Sequence, residues 1–297
     1  MTDILLVYKK NFEAVHDISL GLVSKALEDA SQRRGDLRID IRAREQVRRA
    51  DFIGRDLVLV LGGDGTLTSI SHNIDASTPV MGINSHPRTE DPSGSFGFYM
   101  DSNLETFAED LETALNGDAI VNELPRLQAI IDTTSGNRFT TDPAMNDLLI
   151  ANTHQYAPSK YHLRRGDDKI IQHSSGLIFS TWLGKGAWLS HAANEQEYNN
   201  VSDSIQLDTV NSHYYMLARD ISHSQRKANP WASLAWTSEA TTLTSDMHRG
   251  MIVPDGWDEI HFNRGATITV NLDAPKIRLL TFRQSMIQRL KTYQIQK

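Results

Sequence analysis

One carboxylate stands inside a glycine-rich turn. Residues 57–61 are five consecutive aliphatic residues, and Gly62-Gly63-Asp64-Gly65-Thr66 follows them directly. The aliphatic run predicts a strand that is buried on both faces, as in a parallel sheet. The glycines let the backbone turn sharply and approach a ligand, and Thr66 is placed to begin a helix whose free N–H groups attract anions. Because such a turn favours phosphate over carboxylate, an acid within it indicates catalysis or an organised cation.

A structural interpretation also fits this turn, in which Asp64 only caps the helix that follows the strand. The full string of five residues is more specific than the two glycines and the acid. It resembles the signature shared by NAD kinases, diacylglycerol-type lipid kinases and phosphofructokinases. These enzymes transfer a phosphoryl group to a hydroxyl, so the resemblance implies phosphoryl transfer and leaves the substrate open.

Composition bounds the class of protein. The 297 residues are 39% hydrophobic and 23% charged, which predicts one large or two modest globular domains. A net charge of −7 argues against binding nucleic acid by bulk charge, and the absence of cysteine excludes disulfides and thiolate chemistry. No apolar run approaches the roughly 20 residues of a membrane helix, and the N-terminus does not resemble a signal peptide. We expect a cytoplasmic protein without nucleic-acid or membrane partners.

Strands and helices alternate in the first part of the chain. Apolar runs predict strands at 4–8, 37–41, 57–61 and 79–83, and apolar residues at helical spacing predict amphipathic helices between and after them. This alternation predicts an α/β domain with an open, mostly parallel sheet over residues 1–118. Ligands bind such sheets at the carboxyl ends of the strands, where the glycine-rich turn falls. The first helix is predicted to bury Phe12, Val15, Ile18, Leu22 and Ala26.

The pattern changes after Asp118. Short alternating runs separated by turn residues predict a β-rich domain over residues 119–283, including strands at 204–207 and 277–282. A closing helix is predicted over 284–297, where it can pack back on the first domain. The polar segment Ser85–Ser95 contains two prolines and is interpreted either as a lid or as an insertion.

Three further segments are candidates for a ligand site. The first is Gly82-Ile83-Asn84 together with Gly94–Tyr99 after the loop, and the other two lie around Asn146 and after Ser174. Asn146 and Asp147 lie side by side, and an amide beside a carboxylate can bind a ribose diol and an adenine edge; an Asx-turn before a strand is the alternative. The small residues between Ser180 and Gly186 predict a second turn leading into a helix, which either attracts an anion or is an ordinary connection. Three aromatic residues near these segments can stack on a base or belong to the core, namely Phe98, Tyr99 and Trp188.

Taken in order with the glycine-rich turn, these segments resemble the NAD kinase family. The resemblance extends from Leu57 to about Ala192, and Ser174-Ser175-Gly176 with Trp188 is closer to the divergent, mitochondrial-type branch. The chain departs from the family pattern in that Asp147 replaces a glutamate and Ser175 an aspartate. Within the loop at 182–186, Trp-Leu replaces Pro-Thr, and Lys-Gly replaces two small hydroxylated residues, so this loop has lost hydroxyls and gained bulk and a cation.

The resemblance implies a two-domain kinase that transfers a phosphoryl group from ATP to the 2′-hydroxyl of the adenosine ribose of NAD, giving NADP. It also implies Mg²⁺ or another divalent cation, with no metal cage in the sequence, and a homodimer or larger oligomer. Asp64 is implied to be catalytic. The implied phosphate- or nucleotide-binding residues are Gly62, Gly63, Gly65 and Thr66, and the implied NAD-binding residues are Phe98, Tyr99, Asn146, Asp147, Ser175, Thr181, Ala187 and Trp188.

Two rival hypotheses remain at this point. One is a related kinase of the same superfamily, which carries the same glycine-rich turn and acts on a lipid or a sugar phosphate. A lipid kinase should have an apolar acceptor groove, and the polar segments at 146–147 and 180–181 argue against such a groove. The second hypothesis is a non-catalytic dinucleotide-binding regulatory protein, and the altered loop Trp182–Gly186 is the reason to consider it.

Overall fold

The computed structural model of the chain describes residues 1–10, 14–89, 91–193, 199 and 208–295, without the side chains of 14–16 and 292–295. The strands, in chain order, are β1 Thr2–Tyr8, β2 Leu37–Ala43, β3 Leu57–Gly62, β4 Pro79–Asn84, β5 Ser102–Asn103, β6 Ile120–Leu124, β7 Gln128–Asp132, β8 Arg138–Thr140, β9 Asp147–Asn152, β10 Ser159–Arg165, β11 Asp168–Ser174, β12 Leu177–Ser180, β13 Tyr214–Ala218, β14 Leu234–Thr237, β15 Thr241–Ser245, β16 Arg249–Pro254, β17 Ile260–Asn263, β18 Thr267–Asn271 and β19 Ile277–Thr281. The α-helices are α1 Ala14–Arg34, α2 Arg49–Phe52, α3 Asp64–Ser71, α4 Phe107–Asn116, α5 Trp188–Ala192, α6 His223–Ala228 and α7 Met286–Ile295.

The chain divides into two compact units. Unit 1 comprises Met1–Leu124 together with Lys276–Lys297, and unit 2 comprises Pro125–Pro275. The predicted boundaries at 118 and 283 are therefore displaced, because β6 and β19 pair with each other and with β4 in the sheet of unit 1. The run at 277–282 was predicted for the β-rich domain, and this was wrong: an apolar run gives a strand but does not specify its sheet.

Unit 1 is built on a mostly parallel sheet in the order β2-β1-β3-β4-β19-β6, with β5 beside β4. Every residue of β3 is buried, because helices α1 and α4 pack on the face that carries Leu57, Leu59 and Leu61, while Val58 and Val60 are buried on the other side. The predicted open α/β sheet is confirmed. Its strand β3 ends at the glycine-rich turn.

Helix α1 forms where it was predicted, but most of its buried face is different. Ile18 and Leu22 are 64% and 53% exposed, whereas Val23, Leu27 and Ala30 are buried, with the predicted Ala26 partly buried against them. Two other residues of the predicted face are not assigned to either side of the helix. Phe12 lies outside the described residues, and Val15 is described only by its backbone. The apolar spacing identified the helix correctly, but a second set of residues at the same spacing faces the sheet. Within the described part of the chain, no helix is long and apolar enough to cross a membrane.

Unit 2 is a pair of antiparallel six-stranded sheets packed face to face. Their strand orders are β11-β10-β15-β18-β7-β8 and β14-β13-β12-β9-β16-β17. Alternation along β9 shows why both faces of the second sheet are buried: Leu148 and Ile150 point into the core between the sheets, whereas Leu149 and Ala151 join a smaller cluster with Leu189 of α5. The predicted β-rich domain is confirmed, and the strand predicted at 204–207 lies outside the described residues.

We predict that Leu59→Ala lowers the free energy of unfolding by about 2–5 kcal/mol, because Leu59 is completely buried in the central strand of unit 1 and the substitution leaves a cavity. The matched control is Leu22→Ala, which removes the same atoms from the exposed side of α1 and should change stability by less than about 0.5 kcal/mol. Urea unfolding followed by circular dichroism measures both. Equal effects of the two substitutions would contradict the assigned burial.

Candidate functional site

The glycine-rich turn joins β3 to α3 through a single cap residue. Gly62 is the last residue of β3 and Gly63 caps the helix, so that Asp64 is its first residue. Thr66, which was predicted to begin the helix, is its third residue. The carbonyl of Gly63 accepts hydrogen bonds from the N–H groups of Thr66 at 2.8 Å and Leu67 at 3.4 Å. Thr66 is buried, and its hydroxyl oxygen accepts a bond from the N–H of Gly63 at 3.4 Å. Its side chain therefore stabilises the turn and is not presented to a ligand.

The three glycines of the turn have different surroundings. A Cβ on Gly62 would lie 2.8 Å from Cβ of Thr66, and one on Gly63 would lie 2.7 Å from Cβ of Ser95. These two positions need glycine because the protein itself packs against them. Around a Cβ on Gly65 there is no described atom within 4 Å. Gly65 therefore leaves open space at the start of α3, where N–H groups without helical partners attract phosphate.

The carboxylate of Asp64 binds three consecutive backbone amides. Its Oδ2 accepts hydrogen bonds from the N–H groups of Gly97 at 2.9 Å and Phe98 at 3.0 Å, and its Oδ1 accepts one from the N–H of Tyr99 at 2.8 Å. The hydroxyl of Ser95 lies 3.4 Å from Oδ2 and 3.2 Å from the N–H of Asp64. Among the described residues, Oδ1 thus accepts a single hydrogen bond, and it retains a lone pair that can accept another from a ligand hydroxyl.

The aromatic pair Phe98-Tyr99 contributes to this cluster through its backbone. Tyr99 is 3% exposed and its ring meets that of Phe98 edge-on, with 5.2 Å between ring centroids. The buried Tyr99 ring is not placed to stack on a base and belongs to the core, which was the other interpretation of this residue. Phe98 is half-buried. The turn before it needs glycine, because Gly97 adopts a φ of +74° and a Cβ there would collide with the Asn84 side chain.

A second carboxylate binds three consecutive amides in unit 2. Asp255 follows β16 with a left-handed φ of +46°, and its Oδ1 accepts bonds from the N–H groups of Asn146 at 2.8 Å and Asp147 at 3.0 Å. Its Oδ2 accepts a bond from the N–H of Met145 at 2.6 Å. Asp255 therefore fixes the backbone of the predicted Asn-Asp pair, and Arg126 lies close enough to lower its pKa.

Asp147 is buried without full hydrogen bonding. Its Oδ2 accepts a bond from the N–H of Trp188 at 3.3 Å, whereas its Oδ1 is buried without a hydrogen-bond partner among the described residues. Burial raises the pKa of Asp147 to about 7, and the nearby Asp255 adds to this increase. Burial also raises the pKa of Asp255 to about 6, against the effect of its three amide donors. A buried oxygen that lacks a partner is a place where a ligand hydroxyl can bind.

The loop after β12 surrounds Asp147. Thr181 is fully buried, and its hydroxyl donates to the carbonyl of Met145 at 2.5 Å, so it holds the Asn146–Asp147 loop in place. Ala187 caps the short helix α5. Trp188 is 40% exposed, with the guanidinium of Arg219 lying 5.4 Å from its ring centroid. The N–H that begins α5 therefore binds the protein's own carboxylate rather than an external anion.

Ser175 is not part of this group of residues. In the pairing of β12 with β9, Ser180 lies opposite Asp147 and Leu177 lies opposite Ile150. Ser175 precedes β12, about five residues from the Asp147 end, which corresponds to roughly 15 Å at the rise of a strand. It is exposed, and its N–H donates to the carbonyl of Arg219. Within one chain, the structure therefore does not bring Ser175 to the site predicted for it.

Sequence reasoning missed Asp255 and Ser95. Asp255 belongs to the string Pro-Asp-Gly, which is typical of a turn, and nothing in that string marks the aspartate as buried. Ser95 ends the segment that was interpreted as a lid or an insertion. In the described part of this segment, Pro87 pairs with Ser95, and the N–H of Ser95 donates to the carbonyl of His86 at 2.8 Å. The segment therefore closes on itself beside Asp64.

Comparisons with known proteins identify the class of this fold. Residues 15–119 match the model of the ATP-NAD kinase N-terminal domain. An NAD kinase of Thermoplasma volcanium is 22% identical over 239 residues, which are 80% of this chain and 78% of that protein.

Two solved structures share the fold of nearly the whole chain. An NAD kinase from Archaeoglobus fulgidus in complex with ATP matches with a TM-score of 0.67 at 16% identity, covering 98% of this chain and 96% of that one. Yeast NADH kinase complexed with NADH matches with a TM-score of 0.74 at 13% identity, covering 99% and 88%.

We predict that Asp147→Asn stabilises the protein increasingly as the pH rises. The pKa of Asp147 is raised from 3.8 to about 7, so the folded state binds this proton more tightly than the unfolded state. The contribution of Asp147 to stability is thus full below about pH 4 and is lost as the pH approaches 7. The free energy of unfolding of the variant relative to wild type should rise by roughly 2–4 kcal/mol over this interval.

Urea unfolding at several pH values measures this difference. The control is Asp132→Asn, at an exposed aspartate whose pKa is held below its usual range by the Arg138 guanidinium. The difference in free energy of unfolding between this control and wild type should stay constant between pH 4 and 7. If the Asp147→Asn difference is equally constant, the carboxyl of Asp147 titrates normally and the account of its burial is wrong.

Proposed function

We propose that this chain, whose residues 15–119 match the ATP-NAD kinase N-terminal domain, phosphorylates the 2′-hydroxyl of the adenosine ribose of NAD with ATP, giving NADP and ADP. The proposal rests on one observation above all. The family's glycine-rich turn presents Asp64 at the end of β3 with a lone pair of Oδ1 unused, while three amides fix the carboxylate's orientation.

The reaction asks the protein mainly for positioning and charge stabilisation. The 2′-oxygen forms a bond to the γ-phosphorus of ATP, the bond between this phosphorus and the β,γ-bridging oxygen breaks, and ADP leaves. In the proposed mechanism, Oδ1 of Asp64 accepts the hydrogen bond of the 2′-hydroxyl and takes its proton as the new bond forms. The open N-terminus of α3 around Gly65 provides N–H groups and space for phosphate oxygens.

The Asn146–Asp147 loop is the proposed binding site for the adenosine part of NAD. Asp255 fixes its backbone, and the unpartnered Oδ1 of Asp147 provides an acceptor for a ribose hydroxyl. Asn146 is half-buried and offers both donor and acceptor atoms. The exposed ring of Trp188, beside Asp147, is proposed to border the dinucleotide. Thr181 and Ala187 act indirectly by holding this loop.

A divalent cation, most simply Mg²⁺, is proposed to enter with ATP. Among the described residues there is no group of three or more His, Asp or Glu side chains placed to hold a metal ion. The phosphate oxygens of ATP and water are therefore its proposed ligands, as is common for Mg²⁺. When bound, the cation neutralises charge on the phosphates.

Two further properties are proposed on the strength of the sequence and its family. A cytoplasmic location is the first of these, and fractionation of cells that express the protein can test it. The resemblance to NAD kinases supports a homodimer or larger oligomer, which light scattering coupled to size-exclusion chromatography can test.

We predict that the purified protein converts NAD to NADP when it is supplied with ATP and Mg²⁺. NADP is measured with an NADP-specific dehydrogenase, and ADP is measured separately. An NAD analogue without the 2′-hydroxyl of the adenosine ribose should bind to the protein but yield no phosphorylated product, because the accepting oxygen is missing. If calorimetry shows NAD binding while no NADP forms, the protein is a dinucleotide-binding regulator; phosphorylation of a lipid or sugar phosphate instead of NAD would identify the other rival.

We predict that Asp64→Asn lowers kcat by about 10²–10⁴-fold while changing the Kd for NAD by less than about threefold, because the amide cannot take the proton of the 2′-hydroxyl. The control is Asp132→Asn, which removes an exposed carboxylate from unit 2 and should leave kcat unchanged. Steady-state kinetics and calorimetry measure the two effects. Undiminished turnover of Asp64→Asn would exclude Asp64 as the proton acceptor.

A further inference from the structure

Asp64 is oriented by a loop whose opposite side is held by an arginine near the C-terminus. Arg289 lies in α7, 225 positions further along the chain, and the segment that carries it returns to unit 1 after unit 2 is complete. Its Nη2 donates to the carbonyl of Gly97 at 2.7 Å, and its Nε donates to the carbonyl of Phe98 at 3.1 Å. The loop therefore contacts a carboxylate through its N–H groups and a guanidinium through its carbonyls.

The same two peptide groups are bound at both ends. The peptide between Gly97 and Phe98 donates its N–H to Asp64 and accepts from Arg289 through its carbonyl, and the peptide between Phe98 and Tyr99 does the same. In a trans peptide the C=O and N–H point in opposite directions, so the two side chains act from opposite sides. A negative charge at the N–H end and a positive charge at the C=O end polarise each peptide in the same sense, which strengthens both hydrogen bonds.

A second carboxylate, that of Asp101, fixes Arg289 itself. Asp101 is buried and forms an ion pair with Nη1 of Arg289. The other oxygen of Asp101 accepts bonds from the N–H groups of Phe282 at 2.6 Å and Arg283 at 3.0 Å, just after β19. The guanidinium uses Nε, Nη1 and Nη2 on three different acceptors. A lysine ammonium lacks this planar fork and cannot reproduce the arrangement.

We propose that Arg289 is a positioning residue for the phosphoryl-transfer reaction, acting on Asp64 through the two peptide groups that link them. This inference rests on the proposed function for its kinetic consequences but not for its structural ones. Without the guanidinium, these peptides are held only through their N–H groups. They can then shift, and the carboxylate they bind is oriented less firmly towards the accepting hydroxyl. A displacement of about 1 Å at a reacting group costs on the order of 100-fold in rate.

Hydrogen–deuterium exchange of the whole chain tests the structural part. Arg289→Gln should accelerate exchange of the Gly97, Phe98 and Tyr99 amides by at least about tenfold, because the loop is no longer held by its carbonyls and its amides separate more often from Asp64. The matched control is Arg278→Gln, which removes a guanidinium of the same C-terminal segment that donates to the carbonyl of Ser77 at 3.0 Å. This control should leave the three amides unchanged. Unchanged exchange in a folded Arg289→Gln protein would overturn the proposal.

A double-substitution cycle tests the kinetic part. Arg289→Gln alone should lower kcat by about 10- to 100-fold with little change in the KM of NAD or ATP. In an Asp64→Asn background it should lower kcat by less than about twofold, because the group it positions is already disabled. A full further loss in that background would show that Arg289 does not act through Asp64.

Two controls keep the outcomes separate. If Arg289→Gln does not fold, Arg289→Lys replaces it and should show the same accelerated exchange and the same non-additivity, since one ammonium cannot bind both carbonyls and Asp101. If the wild-type protein forms no NADP, the proposed function fails, and the exchange experiment alone decides whether Arg289 holds the loop.

Discussion

The hydrogen bonds between the Asp64 carboxylate and three consecutive amides determine how the candidate site of unit 1 is arranged. They require the loop at 95–99 to come close to the start of α3, and this close approach is why Gly63 has no room for a Cβ beside Ser95. They also leave the carbonyls of the loop pointing away from Asp64. Arg289 binds these carbonyls, so the C-terminal segment completes a site that begins with residues near position 60.

The same device occurs independently in unit 2, with a different outcome. Asp255 binds the amides of residues 145–147 and thereby fixes the position of Asp147. The Oδ2 of Asp147 accepts a hydrogen bond from the N–H of Trp188, and its Oδ1 is buried without a hydrogen-bond partner among the described residues. Burying a carboxylate in this way costs stability unless a ligand supplies the missing hydrogen bond. In the proposed function, Asp64 of unit 1 serves the chemistry and Asp147 of unit 2 serves binding. Backbone amides hold the carboxylate of Asp64, whereas Asp255 holds the backbone of Asp147.

The sequence predicted those features that depend on local pattern. The buried run at 57–61, the turn after it and the change from an α/β to a β-rich pattern are all local, and the structure has them. The failures concern choices between equivalent patterns or contacts between distant residues. Helix α1 offers two apolar faces, and only packing on the sheet selects the one with Val23 and Leu27. The strand β19 returns to the first sheet, which its residues do not encode by themselves.

The candidate site was predictable in part for the same reason. Asp64, Asn146 and Asp147 belong to continuous motifs, so sequence alone marks them. Asp255 and Arg289 act on residues more than 100 positions away, and neither lies in a motif. Ser175 lies within a motif, yet strand register places it at the far end of β12 from Asp147. Motifs identified residue types, whereas the pairing of strands determined which of them meet.

The most direct test of the central claim is a crystal structure of this protein with NAD and a non-hydrolysable ATP analogue. The account predicts that the 2′-oxygen of the adenosine ribose lies about 2.6–3.2 Å from Oδ1 of Asp64, with the three amide bonds to the carboxylate intact. A bound NAD whose 2′-hydroxyl lies out of hydrogen-bonding reach of Asp64 would contradict it.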